Sequence, residues 1–288
     1  MILIAPDRIA RAAGPAGGPQ GIASAASRRF RTTQRTTMKN LRIRLFLSHL
    51  GISAAVIGLS IAFILLVWYP GPLASFEGIY AILVLMAIVD VAAGPLCTLV
   101  AASPKKSRGE LARDLAIIGA VQLMALGYAL YTTGIARPVY VVYNFAHFDV
   151  EHPRQIPDAE LAKAKGTAYS GIPWFGPRYV EARVPADPAE IQRIIASQIG
   201  GGPALKDMPV TYMAWPSEGS DARKRARPVA ELWEKGTLRP AAVELLRSRG
   251  LTEDDGLVLP LLGQGHVGTI VLRKSDLAVV GILPDQTL

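Results

Sequence analysis

Residues 79–101 read IYAILVLMAIVDVAAGPLCTLVA, an apolar run with a single charged residue, Asp90, near its middle. At 1.5 Å per residue, a helix of this length crosses a bilayer core of about 30 Å. Two further windows, 46–68 and 115–132, are similarly apolar, although the third contains Gln122. The sequence therefore predicts a transmembrane domain of three helices over residues 38–133.

The polar residues of the second and third spans are expected to meet. If these helices are antiparallel, Asp90 and Gln122 lie at the same depth. An ionised carboxylate at the membrane centre is expensive, so we expect Asp90 to be protonated and to hydrogen-bond to Gln122. Pro95 removes the donor for the Val91 carbonyl, and Gly94 lets another helix approach closely. A structural contact is the preferred interpretation; a proton relay or a contact with a further membrane helix is the alternative.

Small residues recur at helical spacing in all three spans, as they do where membrane helices pack closely. We expect them to close the bundle or to receive another helix. They are Ala54, Gly58 and Ala62 in the first span, Ala87, Gly94 and Thr98 beside Asp90 in the second, and Gly119 and Gly127 in the third.

The formal net charge of +8 is unevenly distributed. Basic residues precede the first span and fill the 105–114 loop, whereas the 69–78 loop has none, and opposite charges balance from residue 134 onward. The C-terminal part thus lacks the basic surface that nucleic-acid binding requires. By the positive-inside rule, we expect a multi-pass protein with a cytoplasmic N-terminus and a C-terminal domain on the outer side, which in a Gram-negative cell is the periplasm.

Residues 1–37 are rich in Ala, Gly, Arg, Ser and Thr and have one acidic residue. This composition predicts a disordered tail or an over-extended start ahead of Met38, although it also resembles a transit peptide. The single cysteine, Cys97, lies in the second span, so the C-terminal domain has no disulfide.

From residue 134 to 288 the pattern changes to short elements separated by Gly and Pro. RPVYVVYNF predicts a strand leaving the membrane, and DPAEIQRIIASQIGGG a helix capped by Asp187. GLVLPLLG, VGTIVLRK and LAVVGILP predict a closing run of strands. We expect a compact α+β domain with a mainly antiparallel sheet.

Two patterns in this domain suggest ligand sites only superficially. GQGHVG at 263–268 matches GxGxxG, but a strand follows it, so a β turn is expected. HFDVEH at 147–152 places His147, Asp149 and Glu151 on one strand face, which favours a solvated face over a metal site. With no nucleophile-elbow, zinc-protease, paired-cysteine or Walker motif, the sequence predicts a non-enzymatic protein without a cofactor or metal.

VWYPGPL at 67–73, VDVAAGPLCTLV at 89–100 and the terminal LPLLGQG and VVGILP resemble the TfpX/TfpZ family of type IV pilin accessory proteins. The resemblance covers the chain from about Met38 and is densest in the membrane part. It implies an inner-membrane accessory factor for fimbrial biogenesis that binds a cognate major pilin and modulates assembly or surface display. The matching residues are Trp68, Tyr69, Pro70, Gly71 and Pro72 in the outer loop, Asp90, Gly94 and Pro95 in the second span, and Arg137 and Pro138 at the exit into the periplasm.

The resemblance also implies contact with the pilus assembly machinery and membrane lipid. We expect Trp68 and Tyr69 to anchor the membrane interface, with residues 70–72 forming the turn between spans. Two alternatives belong to other classes. A membrane sensor needs a cytoplasmic output module, and the 105–114 loop is too short for one. A small ion-coupled membrane protein using Asp90 needs more than one intramembrane polar centre.

Overall fold

The structure, a computed structural model, describes residues 20–103, 106–233 and 236–284, with side chains described from residue 41. It contains a group of long apolar helices followed by a domain built on one mixed sheet. We name residues 41–135 the helical bundle and residues 138–284 the sheet domain. This arrangement confirms the predicted α+β fold class.

Helix α1 (Gln20–Phe63) continues into a π-helical turn, Ile64–Trp68. It begins within the segment for which a disordered tail or an over-extended start was predicted, and residues 20–37 are helical. Ala, Arg and Gln favour helix, and extending an existing helix costs little because nucleation is already complete. Residues 1–19 of the predicted tail lie outside the described residues.

The other two long helices form the rest of the bundle. The short helix α2 (Leu73–Phe76) precedes α3 (Tyr80–Ala87), a π-helical turn (Ile88–Ala93) and α4 (Gly94–Ala101), which together form the second apolar helix. Helix α5 (Arg108–Ile135) begins at a capping box in which Ser107 and Glu110 bond each other's backbone N–H.

Three helices in the described residues are long and apolar enough to cross a membrane, as predicted. They are Leu41–Trp68, Tyr80–Ala101 and Arg108–Ile135. They include or closely match the predicted windows 46–68, 79–101 and 115–132. The third helix begins seven residues before its predicted window, because its first turns carry charged residues and therefore fall outside a window chosen by hydropathy.

One eight-stranded sheet forms the sheet domain, in the order β4-β3-β1-β2-β6-β7-β8, with β5 paired to β6. The β1–β3 and β2–β6 pairs are parallel and the other five are antiparallel, so the sheet is mainly antiparallel as predicted. The strands are β1 (Tyr140–Asn144), β2 (His147–Glu151), β3 (Arg178–Ala182), β4 (Tyr212–Ala214), β5 (Arg227–Pro228), β6 (Gly256–Leu262), β7 (Val267–Arg273) and β8 (Val279–Pro284).

Helices from within the domain cover one face of the sheet. Helix α9 buries Leu238, Ala242 and Leu246, at four-residue spacing, against this face. Asp187 caps the amphipathic helix α7 by accepting a hydrogen bond of 2.9 Å from the Ala189 N–H. The helices of the domain are α6 (Asp158–Lys163), α7 (Pro188–Ile199), α8 (Ala222–Arg225) and α9 (Leu238–Ser248).

The opposite face is covered in part by the loop between the first two membrane helices. Leu73 and Phe76 of α2 belong to the same buried cluster as Phe148, Leu259 and other residues of the sheet. The core of the sheet domain therefore includes side chains from the helical bundle's own loop.

The glycines of GQGHVG make room for this insertion. They connect the antiparallel strands β6 and β7, which confirms the predicted turn. A β-carbon at Gly263 would lie 2.7 Å from the Phe76 ring, and one at Gly268 would lie 3.0 Å from it. These glycines therefore admit an aromatic ring of the bundle loop, a structural reason for the pattern that does not involve a phosphate.

Candidate functional site

The π-helical turn before Pro95 frees one backbone carbonyl at the middle of the second span. In this turn the Gly94 N–H bonds to the Val89 carbonyl, five residues back, and not to the Asp90 carbonyl. In the same register the next donor would be residue 95, which is proline and has no N–H. The freed acceptor is thus the carbonyl of Asp90, one residue earlier than the Val91 carbonyl expected from α-helical geometry.

Gln122 of α5 occupies the position that this arrangement creates. Its Nε2 donates to the Asp90 backbone oxygen at 3.0 Å and lies 3.3 Å from the Asp90 carboxyl Oδ1. The structure thus brings together Asp90 and Gln122, the two polar residues that were expected to meet because they lie at the same depth. The contact is a side-chain amide bridging two oxygens of one residue, so it fixes α5 against the second span even if the carboxyl group changes its protonation.

Gly94 and Pro95 lie inside the bundle. Both are buried, and a β-carbon on Gly94 would overlap the Gln122 side-chain amide. Close approach at Gly94 is therefore used within the chain, and neither residue is available to a partner helix in this arrangement.

A groove lies between α1 and α5, with Asp90 at its floor. Its volume is about 190 Å³ and its lining is mainly apolar. The Oε1 atom of Gln122 is buried there and has no hydrogen-bond partner among the described residues. The groove thus combines apolar walls with one unsatisfied acceptor. Its lining residues are His49, Ile52, Ser53, Val56 and Ile57 from α1, Asp90, and Gly119, Gln122, Leu123 and Leu126 from α5.

His49 is a groove residue that the sequence analysis missed. Its Nδ1 lies 2.6 Å from the Thr98 hydroxyl of α4. The sequence signals were a histidine within the first apolar window and a threonine on the Asp90 face of the second. The pair gives the helical bundle a second polar contact besides Gln122 and Asp90.

The small residues Ala54, Gly58 and Ala62 form an exposed stripe on α1. No atom lies within 4 Å of a β-carbon placed on Gly58, so the bundle does not use this stripe for its own packing. At about 100° per residue, the stripe lies on the opposite side of α1 from His49 and Ser53, which line the groove. The chain therefore presents two separate surfaces at this depth.

Trp68 and Tyr69 lie inside the protein, and the expectation that they anchor the membrane interface is corrected. Both are buried. The Tyr69 hydroxyl donates to the Thr133 carbonyl at 3.2 Å, and burial raises the pKa of Tyr69. Residues 70–72 form the turn into α2, and Gly71 supplies a positive φ of 61° there. Trp68 and Tyr69 are buried because the loop folds under the sheet domain.

Arg137 connects the bundle to the sheet domain. Its guanidinium lies 5.5 Å from the ring centre of Trp68 and 5.4 Å from that of Trp174. It donates to the Gly134 carbonyl, near the end of α5, and to the Pro173 carbonyl at 3.0 Å. Burial lowers the pKa of Arg137. Pro138, also buried, leads directly into β1.

A buried pair of ionisable groups forms a second connection. His152 Nε2 lies 3.0 Å from a carboxyl oxygen of Glu77 in the bundle loop. Gln155 Oε1 accepts from the His152 backbone N–H at 2.9 Å and lies 2.6 Å from His152 Nδ1, so Nδ1 carries a proton. The Nε2–Glu77 contact therefore joins two buried side chains, one from the sheet domain and one from the bundle loop. We name this contact together with that of Arg137 the joint.

The predicted solvated face of HFDVEH is wrong. Asp149, Glu151 and His152 are buried, and Glu151 pairs with Lys206. Burial raises the pKa of Glu151 to about 9, and the Lys206 ammonium opposes that rise. Residues 204–207 and α7 cover this face, which alternation in one strand could not reveal. Among the described residues, no group of three or more His, Cys, Asp or Glu side chains is placed to hold a metal ion.

Comparison with known proteins identifies relatives that are similar over most of this chain. The fimbrial assembly protein of serogroup I from Dichelobacter nodosus is 26% identical over 233 residues, which cover 80% of this chain and 90% of that protein. The serogroup E1 protein of the same organism is also 26% identical, over 78% of this chain and 88% of that protein. No family model matches the sequence, and no solved structure is similar to it.

A shorter relative establishes the family. The fimbrial assembly protein of serogroups C1 and C2 from Dichelobacter nodosus is 36% identical over 96 residues, which cover 33% of this chain and 73% of that protein. The chain belongs to this family of fimbrial assembly proteins.

Proposed function

We propose that this protein is a non-catalytic inner-membrane accessory factor of type IV pilus biogenesis, which holds the membrane helix of a pilin subunit in the groove between α1 and α5. The TfpX/TfpZ resemblance implies the accessory role, and the geometry of the groove supports the placement of the pilin helix there. In this proposal the sheet domain is periplasmic, as the distribution of basic residues indicates. The names of the relatives describe assembly and not a chemical reaction, which supports a non-enzymatic role.

The groove supports the proposal most directly. Apolar side chains on both walls suit an apolar helix that would otherwise contact lipid. Because lipid supplies no hydrophobic driving force, such a helix is held by van der Waals packing and by hydrogen bonds. The buried Gln122 Oε1 can accept a hydrogen bond from a donor on that helix. A polar contact of this kind fixes depth and rotation, which apolar contacts alone do not.

A photo-crosslinking experiment in native membranes tests this placement. We would introduce a photo-reactive residue at Val56 or Leu123 on the walls of the groove, and at Leu85, which is exposed to a similar extent as Leu123 but lies on another side of the second span. We expect adducts with pilin from Val56 and Leu123 and none from Leu85.

A photo-reactive residue at Gly58, on the stripe on the far side of α1, distinguishes failure of the groove placement from failure of direct pilin binding. Adducts from Gly58 alone would place pilin on the stripe, so the groove proposal would be wrong while pilin binding would stand. Membranes that contain pilin but give no adduct from any of these positions would overturn direct binding.

One observation favours the ion-coupled alternative. His49 lines the same groove as Asp90, so the membrane region has a second ionisable side chain there. A coupled protein requires Asp90 to gain and lose a proton. Replacement Asp90→Asn removes that ability but retains an oxygen that can accept from Gln122. Unchanged pilus display with Asp90→Asn supports the accessory role, and a loss of display in a correctly folded variant supports ion coupling.

A further inference from the structure

A loop of the sheet domain carries two large aromatic side chains that the domain does not bury. Trp174 is 70% exposed and Phe175 is 76% exposed. Exposed aromatic residues side by side usually mark an interaction surface. The question is which environment these two side chains meet.

The loop is fixed to the end of the first membrane helix. The Gly176 N–H donates to the Val67 carbonyl at 2.9 Å, and Val67 lies in the last turn of that helix. Carbonyls at a helix end lack donors within the helix, so this bond occupies one of them. The Pro173 carbonyl in turn accepts from Arg137, close after α5. Both connections place Trp174 and Phe175 at the level where the apolar helices end.

A series of ring contacts leads from the end of the first membrane helix to this loop. Phe63 contacts Trp68 edge to face with ring centres 5.0 Å apart, and the Arg137 guanidinium lies between Trp68 and Trp174. Phe63 and Leu66 are exposed on the same last turns of the helix. The two aromatic side chains thus lie at the same end of the helix as side chains that face lipid if the bundle spans a membrane.

We infer that Trp174 and Phe175 insert into the outer headgroup region of the membrane and attach the sheet domain to the lipid surface. Aromatic side chains concentrate at this depth because their rings are apolar and the Trp N–H can bond to water or headgroups. The loop then takes the anchoring role that the sequence suggested for Trp68 and Tyr69. The inference depends on the membrane placement in the proposed function, but not on pilin binding.

The test uses the full-length protein in lipid nanodiscs, without pilin. In a Cys97→Ser background, Phe175→Cys and Trp233→Cys would each be labelled with an environment-sensitive fluorophore. Trp233 is a matched control, being 72% exposed. It follows β5, which pairs with the start of β6, whereas the end of β6 leads to Gly263 beside the bundle loop. Trp233 is therefore at the end of the domain away from the bundle.

We expect lipids that carry a quencher in the headgroup region to remove most of the fluorescence at position 175 and little at position 233. Equal, weak quenching at both positions would overturn the inference. In a separate sample the protein that retains Cys97, exposed within the second span, is labelled at that residue, and it reports membrane insertion of the bundle when a quencher is placed in the acyl chains of the same lipid. Quenching at Cys97 without quenching at 175 would refute the loop anchor alone, and no quenching at either would refute the membrane placement.

Discussion

The sheet domain and the helical bundle are stabilised in different ways. Every residue of β1 is buried, whereas no residue in the most apolar window of α5 is buried within the chain. In water, burial of apolar surface drives folding, but helices in lipid gain little from covering apolar surface with one another. Beyond one buried apolar cluster around Ile64, Leu83 and Met86, the bundle therefore depends on a close approach at Gly94, on the Gln122 amide and on the joint. That sparse packing leaves the groove open.

The largest effect is expected where the two regions share a core. Phe76→Ala removes a buried ring, and such changes cost about 3–5 kcal/mol of unfolding free energy. We expect a large fall in the denaturant midpoint of the sheet domain, measured by Trp fluorescence in nanodiscs. Val210→Ala, at an exposed apolar side chain, should change the free energy of unfolding by about 0.5 kcal/mol or less. Equal effects of the two changes would show that the bundle loop does not belong to the core.

A pH experiment tests the buried acid of the sheet domain. Because the pKa of Glu151 is raised to about 9 from an ordinary value of 4.5, the folded state retains a proton that the unfolded state releases between these values. Stability contributed by this group is therefore greatest at acidic pH and falls as the pH rises through that window. Glu151→Gln should flatten the dependence of the unfolding midpoint on pH. The exposed Glu218→Gln should leave it unchanged, and a slope that persists in Glu151→Gln would contradict the assignment.

Periodicity and hydropathy predict the elements better than the contacts between them. The three apolar helices, the strands β1, β6, β7 and β8 and the glycine turn follow from local residue patterns. The insertion of Phe76 into the sheet and the docking of residues 173–176 on Val67 do not, because they join segments far apart in the sequence. A single sequence contains no signal for such pairings.

The candidate site shows the same limit at the scale of single residues. The pair of Asp90 and Gln122 was predicted from equal depth in antiparallel helices, which requires only a count of residues along each span. The π-helical turn changed which carbonyl is free, and HFDVEH is buried by a segment that the strand does not reveal. Local alternation describes a face but not what covers it.

The third prediction concerns close approach in the bundle. Gly94→Ala places a methyl group on the Gln122 amide, and overpacking of this kind costs about 1–3 kcal/mol. We expect a lower midpoint for thermal unfolding of the bundle in detergent, followed by circular dichroism at helix wavelengths. Gly58→Ala has open space around it and serves as the matched control. If both variants have the same midpoint of thermal unfolding, the second and third spans do not meet at Gly94.

The smallest effect is expected at the polar contact itself. Gln122→Leu removes the donor to both oxygens of Asp90, and hydrogen bonds between membrane helices contribute about 0.6–2 kcal/mol. Asp90→Asn keeps the backbone oxygen and one side-chain oxygen, so we expect a smaller change in the same melting experiment. A larger loss with Asp90→Asn than with Gln122→Leu would show that the carboxyl group, and not the carbonyl, fixes α5.

The insertion of α2 under the sheet has a consequence for biosynthesis. The ribosome completes Leu73 and Phe76 long before it reaches β6, β7 and β8, whose side chains surround them. The late strands can close their core only around this loop, and if the bundle spans a membrane, the loop must first reach the side on which the strands fold. Correct placement of the loop between the first two helices is thereby a condition for folding of the C-terminal half, and a fragment that starts at β1 lacks part of its own interior.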